Sequence, residues 1–311
     1  MSCSSSTAVV GVVGLGRMGS CFAANLVSGG FQVIGYDQDR ERAARIDGVK
    51  AAAQLADLAS CDVVITSLPN DDALRSVALS ADGLVTILAP GAIHISTSTV
   101  SPGLSRSLAE AHIAHKQQFV AAPVLGNPDL AKAQKIFLLL SGKPEAIEHA
   151  RSILDRLGQH IFVIGDDAGA APIMKLAANV MTAATMQCMG EALALVHKAG
   201  IDVHLAFNVF TNSLFDGRVH KAYGSKIVEE RYTPPGMTIP FAVKDLRLAL
   251  AEAETLGVPM PVGSVVHDRL VAMIGHGWAG LDWSGLGLLE ANDAGLESKA
   301  IPSEKTTEPH L

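Results

Sequence analysis

Six residues constrain this chain more than any others: Gly14-Leu15-Gly16-Arg17-Met18-Gly19. They follow an apolar, valine-rich run from Ala8 to Val13 and open a helical pattern from Arg17 to Val27, which Gly29-Gly30 stops. A second apolar run, Phe31 to Tyr36, ends at Asp37. A glycine-rich turn alone says little. Strand, GxGxxG, helix, second strand and terminal acid in this order predict a dinucleotide-binding βαβ unit. Each glycine answers a separate demand: Gly14 the tight turn, Gly16 the approach of a pyrophosphate to the backbone, Gly19 the close packing of helix on strand. Leu15, Arg17 and Met18 line the same turn, whose N–H groups and positive helix end suit phosphates. Asp37 is expected to hydrogen-bond the adenosine ribose and to repel a 2′-phosphate, which favours NAD over NADP. Arg40 and Arg42, close behind it, work against that preference.

The alternation continues. Asp62–Ser67, Ala92–Ser96, Phe119–Ala122, Ile136–Ser141 and Ile161–Ile164 read as strands, and Asp71–Leu79, Pro102–His115 and Pro144–Leu157 as helices. Apolar strands alternating with amphipathic helices predict an open, largely parallel sheet covered on both faces, with room for antiparallel members among the closely spaced later strands. After Gly165 the strand runs stop, and helical patterns fill residues 170 to 292. Asp166 or Asp167 is a candidate N-cap, Pro172 suits the first turn and Gly200 ends the segment. That helix would have roughly 28 residues and a length of about 42 Å. The expected fold is therefore α/β: an N-terminal Rossmann-type, mostly parallel sheet (8–166), then an all-α C-terminal domain (167–292) joined by a long interdomain helix. Residues 293–311 are polar and read as a flexible tail.

Composition removes several function classes. The formal net charge is −7 and no basic stripe appears, which argues against nucleic-acid binding. Cys3, Cys21, Cys61 and Cys188 are far apart and the histidines never pair at ligand spacing, so neither disulfide framework nor metal site is expected. Residues 1–8 lack an apolar signal core, and Met174 to Val196 is interrupted by Lys175, Asn179, Gln187 and Glu191. A soluble, cytoplasmic protein is the expectation. Met174, Met181, Met186 and Met189 read as core or interface packing, and a homodimer or tetramer through the helical half follows from that. His94 reads as a satisfied core residue, and Cys21 and Cys188 as small packing residues.

Lys175 and Asn179, four residues apart, share a helix face near a helix start, in apolar company. Desolvation and the positive helix end would both lower the pKa of an ammonium group there, making it a candidate proton donor to a nascent alkoxide. The competing reading is a partly exposed lysine snorkelling to water. Leu68-Pro69 and Ser96-Thr97-Ser98-Thr99 end strands on the edge where such sheets bind ligands.

The opening GVVGLGRMGSCFAANLVSGGFQVIGYD resembles that of the β-hydroxyacid dehydrogenases, which include 3-hydroxyisobutyrate dehydrogenase and tartronate semialdehyde reductase. DVVITSLPN, STSTVSP, AAPVLGN, GAAPIMKLAAN and FAVKDLRLAL follow in the same order, spanning about residues 9 to 290. The resemblance implies an NAD(P)-dependent enzyme that moves a hydride between nicotinamide and a β-hydroxyacid or its semialdehyde. It makes Lys175 the catalytic acid–base and Asn179 its substrate-positioning partner. It puts Leu68, Pro69, Thr99 and Lys244 on the cofactor, with Asp245 beside Lys244, and Ser98, Gly126 and Asn127 on the substrate. The chain departs from the usual D-A-P-V-S-G-G loop, carrying Ala121-Ala122-Pro123-Val124-Leu125-Gly126-Asn127 instead. Leu125 cannot donate a hydrogen bond, and the Asn127 amide is the available replacement. Two alternatives share the fold: an imine or ketone reductase, which would suit Leu125 but usually lacks the lysine, and a non-catalytic dinucleotide-binding sensor.

Overall fold

The computed structural model describes residues 8–300. Cys3, the polar N-terminus before Ala8 and the tail beyond Ala300 lie outside the described residues, with the expectations attached to them. Backbone contacts divide the chain into two compact units, one ending at Ala177 and the other beginning at Ala178.

The first unit is built on nine strands: β1 (Val9–Val13), β2 (Gln32–Tyr36), β3 (Val49–Ala51), β4 (Val63–Thr66), β5 (Ile93–Ser96), β6 (Gln118–Ala121), β7 (Val124–Leu125), β8 (Phe137–Gly142) and β9 (His160–Gly165). They form one sheet in the order β3-β2-β1-β4-β5-β6-β8-β7, with β9 paired to β8. From β3 through β6 every pairing is parallel; β8 runs antiparallel to β6 and to β7. Successive residues of each inner strand serve opposite cores. Val10, Val12, Val63, Ile65, Val120 and Ala122 pack with Phe22 and Leu26. Val13 and Val64 pack with Leu58, Leu84 and Leu88 on the other face, and Phe119 and Ala121 with Leu104 and Leu108. Burial on both faces is why these strands read as unbroken apolar runs.

Three features depart from the sequence expectation. The strands Val49–Ala51 and Val124–Leu125 were not foreseen, being too short to carry a pattern. The expected helix Pro144–Leu157 is broken at Ala150 into Pro144–His149 and Arg151–Leu154. β9 is not buried on both faces: His160, Phe162 and Val163 are exposed, as an edge strand permits.

The long helix runs from Ala170 to Lys198, 29 residues, and Gly200 follows it with φ +78°. The second unit continues with helices Val203–Thr211, Arg218–Val228, Ile239–Thr255, Pro261–Gly275 and Leu286–Asp293. Met186, Met189, Leu193, Leu246, Leu270, Met273, Trp283 and Leu286 are buried. Cys188 is instead exposed, which corrects its reading as a packing residue, and Met174 and Met181 are exposed too, which leaves for these two the interface half of the core-or-interface expectation. Asp282 pins a long loop within this unit. It pairs with Lys226 Nζ at 2.9 Å and accepts from the Gly236 and Ser284 N–H groups. Burial would raise its carboxyl, but the Ser284 and Lys226 hydrogen bonds and the lysine's charge hold it below the usual carboxylate range. Beyond Asp293 the chain is still tied down at one point, since Glu230 Oε2 accepts from Lys299 N at 2.7 Å and from Ser298 Oγ at 2.9 Å. Among the described residues no helix is long and apolar enough to cross a membrane, and no group of three or more His, Cys, Asp or Glu could hold a metal ion.

Candidate cofactor and active site

The sheet register gathers the candidate residues along one edge. Val13 lies opposite Tyr36 and Thr66, Thr66 opposite Ser96, and Ser96 opposite Ala121. The residues that follow these aligned strand ends are Gly14, Asp37, Ser67-Leu68-Pro69, Thr97-Ser98-Thr99 and Ala122-Pro123. The strand order reverses between β1 and β4, so a crevice opens at their carboxyl ends, where open α/β sheets take ligands.

The three glycines differ in what surrounds them. Gly14 has φ +85°, and a Cβ there would lie 2.4 Å from the Ser67 carbonyl oxygen. A Cβ on Gly19 would lie 1.8 Å from the Gly14 oxygen, so helix and turn touch through bare backbone. A Cβ on Gly16 would meet nothing nearer than Arg42 Nη1 at 3.8 Å. The space beside Gly16 is thus open, as a pyrophosphate would need. Gly16 is also the N-cap of helix Arg17–Ser28, and it has no side chain to cap that end. The residues present fit a bound dinucleotide.

Asp37 ties the turn to the second strand. Its Oδ2 accepts from Leu15 N at 2.7 Å, its Oδ1 from Asp39 N at 2.9 Å, and Arg42 Nη1 stands 3.5 Å from Oδ2. Of the two arginines flagged in the sequence, Arg42 therefore reaches the acid. The next two turns are cross-braced: Leu68 N donates to Ser98 Oγ at 2.8 Å, and Ser101 N donates to Asp71 Oδ1 at 3.0 Å. Leu68 is half-buried, Pro69 exposed and Thr99 half-buried, while Ser98 is buried with its oxygen already accepting. Asp71 and its bond to Ser101 were not anticipated; a pair 30 residues apart leaves no local signal.

The loop after β6 is held by its own termini. Gly126 has φ +147°, and a Cβ there would press on Ile136 Cγ2 at 2.6 Å, so no other residue fits comfortably. Asn127 caps helix Pro128–Lys132, its Oδ1 accepting from Leu130 N at 2.9 Å. With the oxygen spent on the cap, the amide turns its NH₂ the other way as a donor.

Lys175 stands in the second turn of the long helix and is 9% exposed, too covered for a snorkelling lysine. In the second unit, Asn179 is 5% exposed and its Nδ2 donates to Asp245 Oδ2 at 2.6 Å. Lys244 Nζ lies 2.9 Å from Asp245 Oδ1, an ion pair without the alignment of a hydrogen bond. Asp245 therefore orients one candidate residue and neutralises another. Its link to Asn179 crosses 66 residues and has no counterpart in the sequence pattern.

Residues 9–165 match the family described as the NAD binding domain of 6-phosphogluconate dehydrogenase. Residues 169–287 match that described as NAD-binding of NADP-dependent 3-hydroxyisobutyrate dehydrogenase. An uncharacterized oxidoreductase of Bacillus subtilis is 33% identical over 282 residues, covering 89% of this chain and 98% of its own. The 3-hydroxyisobutyrate dehydrogenase of Pseudomonas aeruginosa is 31% identical over 290 residues, covering 89% and 96%. The structure of Mycobacterium tuberculosis 3-hydroxyisobutyrate dehydrogenase with L-serine superimposes with a TM-score of 0.82 at 26% identity, covering 91% of this chain and 98% of that one.

Proposed function

The chain belongs to the β-hydroxyacid dehydrogenase family, in its 3-hydroxyisobutyrate dehydrogenase-like branch, and on that footing we propose that it interconverts a small β-hydroxyacid and its semialdehyde with Lys175 as general acid–base. It is an NAD(P)-dependent oxidoreductase acting on CH–OH groups. The observation that carries the assignment of Lys175 is its burial, one helical turn before Asn179, whose amide is oriented by Asp245. The bound nicotinamide supplies or accepts the hydride. Lys175 takes the hydroxyl proton in oxidation and returns it in reduction. Asn179 holds the substrate oxygen beside it, and the Asn127 NH₂ with the Gly126 backbone receives the carboxylate in place of the missing loop serine. We also assign Lys244, paired with Asp245, to the cofactor on the strength of the family resemblance.

The cofactor residues are Gly14, Leu15, Gly16, Arg17, Met18, Gly19, Asp37, Leu68, Pro69 and Thr99. NAD is the cofactor we favour, because the Asp37 carboxylate at the end of the second strand would repel a 2′-phosphate, and Arg42, 3.5 Å from it, is the cation that softens that repulsion. Exposed apolar residues Leu195, Leu205, Val209 and Leu214 in the second unit suit a second copy of the chain.

The reaction is tested by following absorbance at 340 nm with NAD or NADP and a panel that includes 3-hydroxyisobutyrate, L-serine and L-threonate, and in reverse with semialdehydes and cyclic imines. Turnover of a hydroxyacid, faster with NAD, is expected. Activity confined to imines would overturn the substrate assignment.

The glycines make a separate prediction. Gly16→Ala should melt at the wild-type temperature yet bind NAD at least about tenfold more weakly, since its methyl group occupies only the ligand's space. Gly19→Ala should melt well below wild type, because its methyl group meets the Gly14 carbonyl and no side chain can yield. Wild-type NAD affinity in Gly16→Ala would place the pyrophosphate elsewhere.

A further inference from the structure

The amino end of the long helix is fully subscribed. Gly169 N donates to Asp167 Oδ1 at 3.1 Å and Ala170 N to the Asp167 carbonyl at 2.9 Å. Pro172 has no N–H, and Ile173 N begins the internal ladder on Gly169 O at 3.1 Å. The remaining donor, Ala171 N, is taken from outside the helix by Ser141 Oγ of β8, at 3.1 Å. The same hydroxyl donates to the Ala168 carbonyl at 3.1 Å, so its proton is committed and its geometry defined.

Ser141 and Ala171 are both 0% exposed, so water cannot replace either bond. Ser141 is also a polar interruption in the apolar run Phe137-Leu138-Leu139-Leu140. A buried hydroxyl there costs free energy unless both bonds are made. Its backbone is fixed from two sides: it pairs with Ala121 of β6, and with Gly165 of β9 across a register shift. Ala121 leads directly into the 122–127 loop. Ala171 is four residues before Lys175, on the same helix face, and its carbonyl is the acceptor position for the Lys175 N–H in a regular helix. Arg106 adds a clamp from outside, its Nη2 lying 2.9 Å from Asp167 Oδ2, and that contact holds the Asp167 carboxyl below its usual range.

We propose that Ser141 is a positioning residue for Lys175: its hydroxyl fixes the first turn of the long helix and thereby where the ammonium group stands. This rests on Lys175 acting as the acid–base. The effect is expected on the chemical step, because the glycine turn that binds cofactor lies after β1, at a different place in the sheet.

The test uses the full chain and the hydroxyacid turned over fastest in the panel above. Ser141→Ala should lower kcat roughly 10- to 100-fold, with KM and the NAD dissociation constant within about threefold of wild type. Ser141→Cys, similar in size with a weak hydrogen-bonding group, should fall between the two and serves if the alanine variant folds poorly. Amide exchange in the segment 168–176 should accelerate in both. In a Lys175→Ala background, Ser141→Ala should cost nothing further, which a merely structural role would not produce. Unchanged kcat in a folded Ser141 variant, unchanged exchange, or an equal loss in the Lys175→Ala background would each overturn the proposal. Wild-type turnover of Lys175→Ala alone would instead fail the acid–base reading, and the positioning role with it.

Discussion

Lys175→Ala is expected to reduce kcat by about 10²- to 10⁴-fold while leaving NAD affinity within about twofold, the range typical of losing a general acid–base. Lys175 is 9% exposed, so few waters stand ready to take over proton transfer. The variant should remain folded, because alanine suits a helix interior. Its unfolding midpoint, measured beside kcat, separates lost chemistry from lost structure. Lys175→Arg should be nearly as inactive, since a guanidinium does not release its proton near neutral pH. Near-normal turnover of Lys175→Ala would remove the mechanism and leave the fold and cofactor binding intact. Asn179→Ala should act differently, raising KM and lowering kcat together, because its proposed role is to hold the substrate oxygen.

How much of this was legible beforehand depends on whether the relevant physics is local. Strands β1, β4 and β5 were readable because alternating residues such as Val12 and Val13 feed two separate cores, which forces continuous apolar runs. The glycine turn and Asp37 were readable because steric demand and charge act within one βαβ unit. β3 was invisible because Val49-Lys50-Ala51 carries no period, and it exists through its pairing with Val33–Gly35. The break at Ala150 has no glycine or proline to announce it. The long helix is apolar nearly all round, so its sequence could not say that Met181 and Cys188 would stay uncovered while Met186 is 0% exposed. At the site, Lys175 and Asn179 stood out by spacing, yet what holds them in place did not. Asp245 reaches Asn179 across 66 residues, and Ser141 reaches Ala171 across 30. Long-range polar contacts of this kind leave no periodicity, and only the folded chain brings them together.

The same limit applies to His94, which reads as a plain core histidine and turns out to be the centre of a buried chain with a consequence for acid stability. Gln117 Nε2 donates to the carbonyls of Leu88 at 2.6 Å and Val85 at 3.1 Å, so its Oε1 must accept, and it does so from His112 Nδ1 at 2.7 Å. His112 Nε2 is then the acceptor for His94 Nδ1 at 2.8 Å, and His94 Nε2 the acceptor for the Thr66 hydroxyl at 2.9 Å. With both imidazoles neutral, this arrangement of protons satisfies all four side chains. Burial pushes His112 down to about 4, against the gain from its Gln117 bond, with the His115 charge adding to the depression. Burial, and then His112, push His94 well below its usual value. A depressed histidine stabilises the fold fully above its unfolded value near 6.5 and loses that contribution as the pH falls toward the folded value, because only the unfolded chain takes up the proton. Between pH 7 and 5.5 the two together should remove about 2 to 3 kcal/mol of stability, a large part of the usual 5–15 kcal/mol. Urea unfolding at the two pH values measures it. Equal midpoints would mean that the pair titrates normally in the folded protein. His112→Gln, which keeps a donor and an acceptor but cannot charge, should be somewhat less stable at pH 7 and lose about half of the pH effect. Because Thr66 ends β4 immediately before the Ser67-Leu68-Pro69 turn, loosening of this chain in acid should also be felt first as weakened NAD binding.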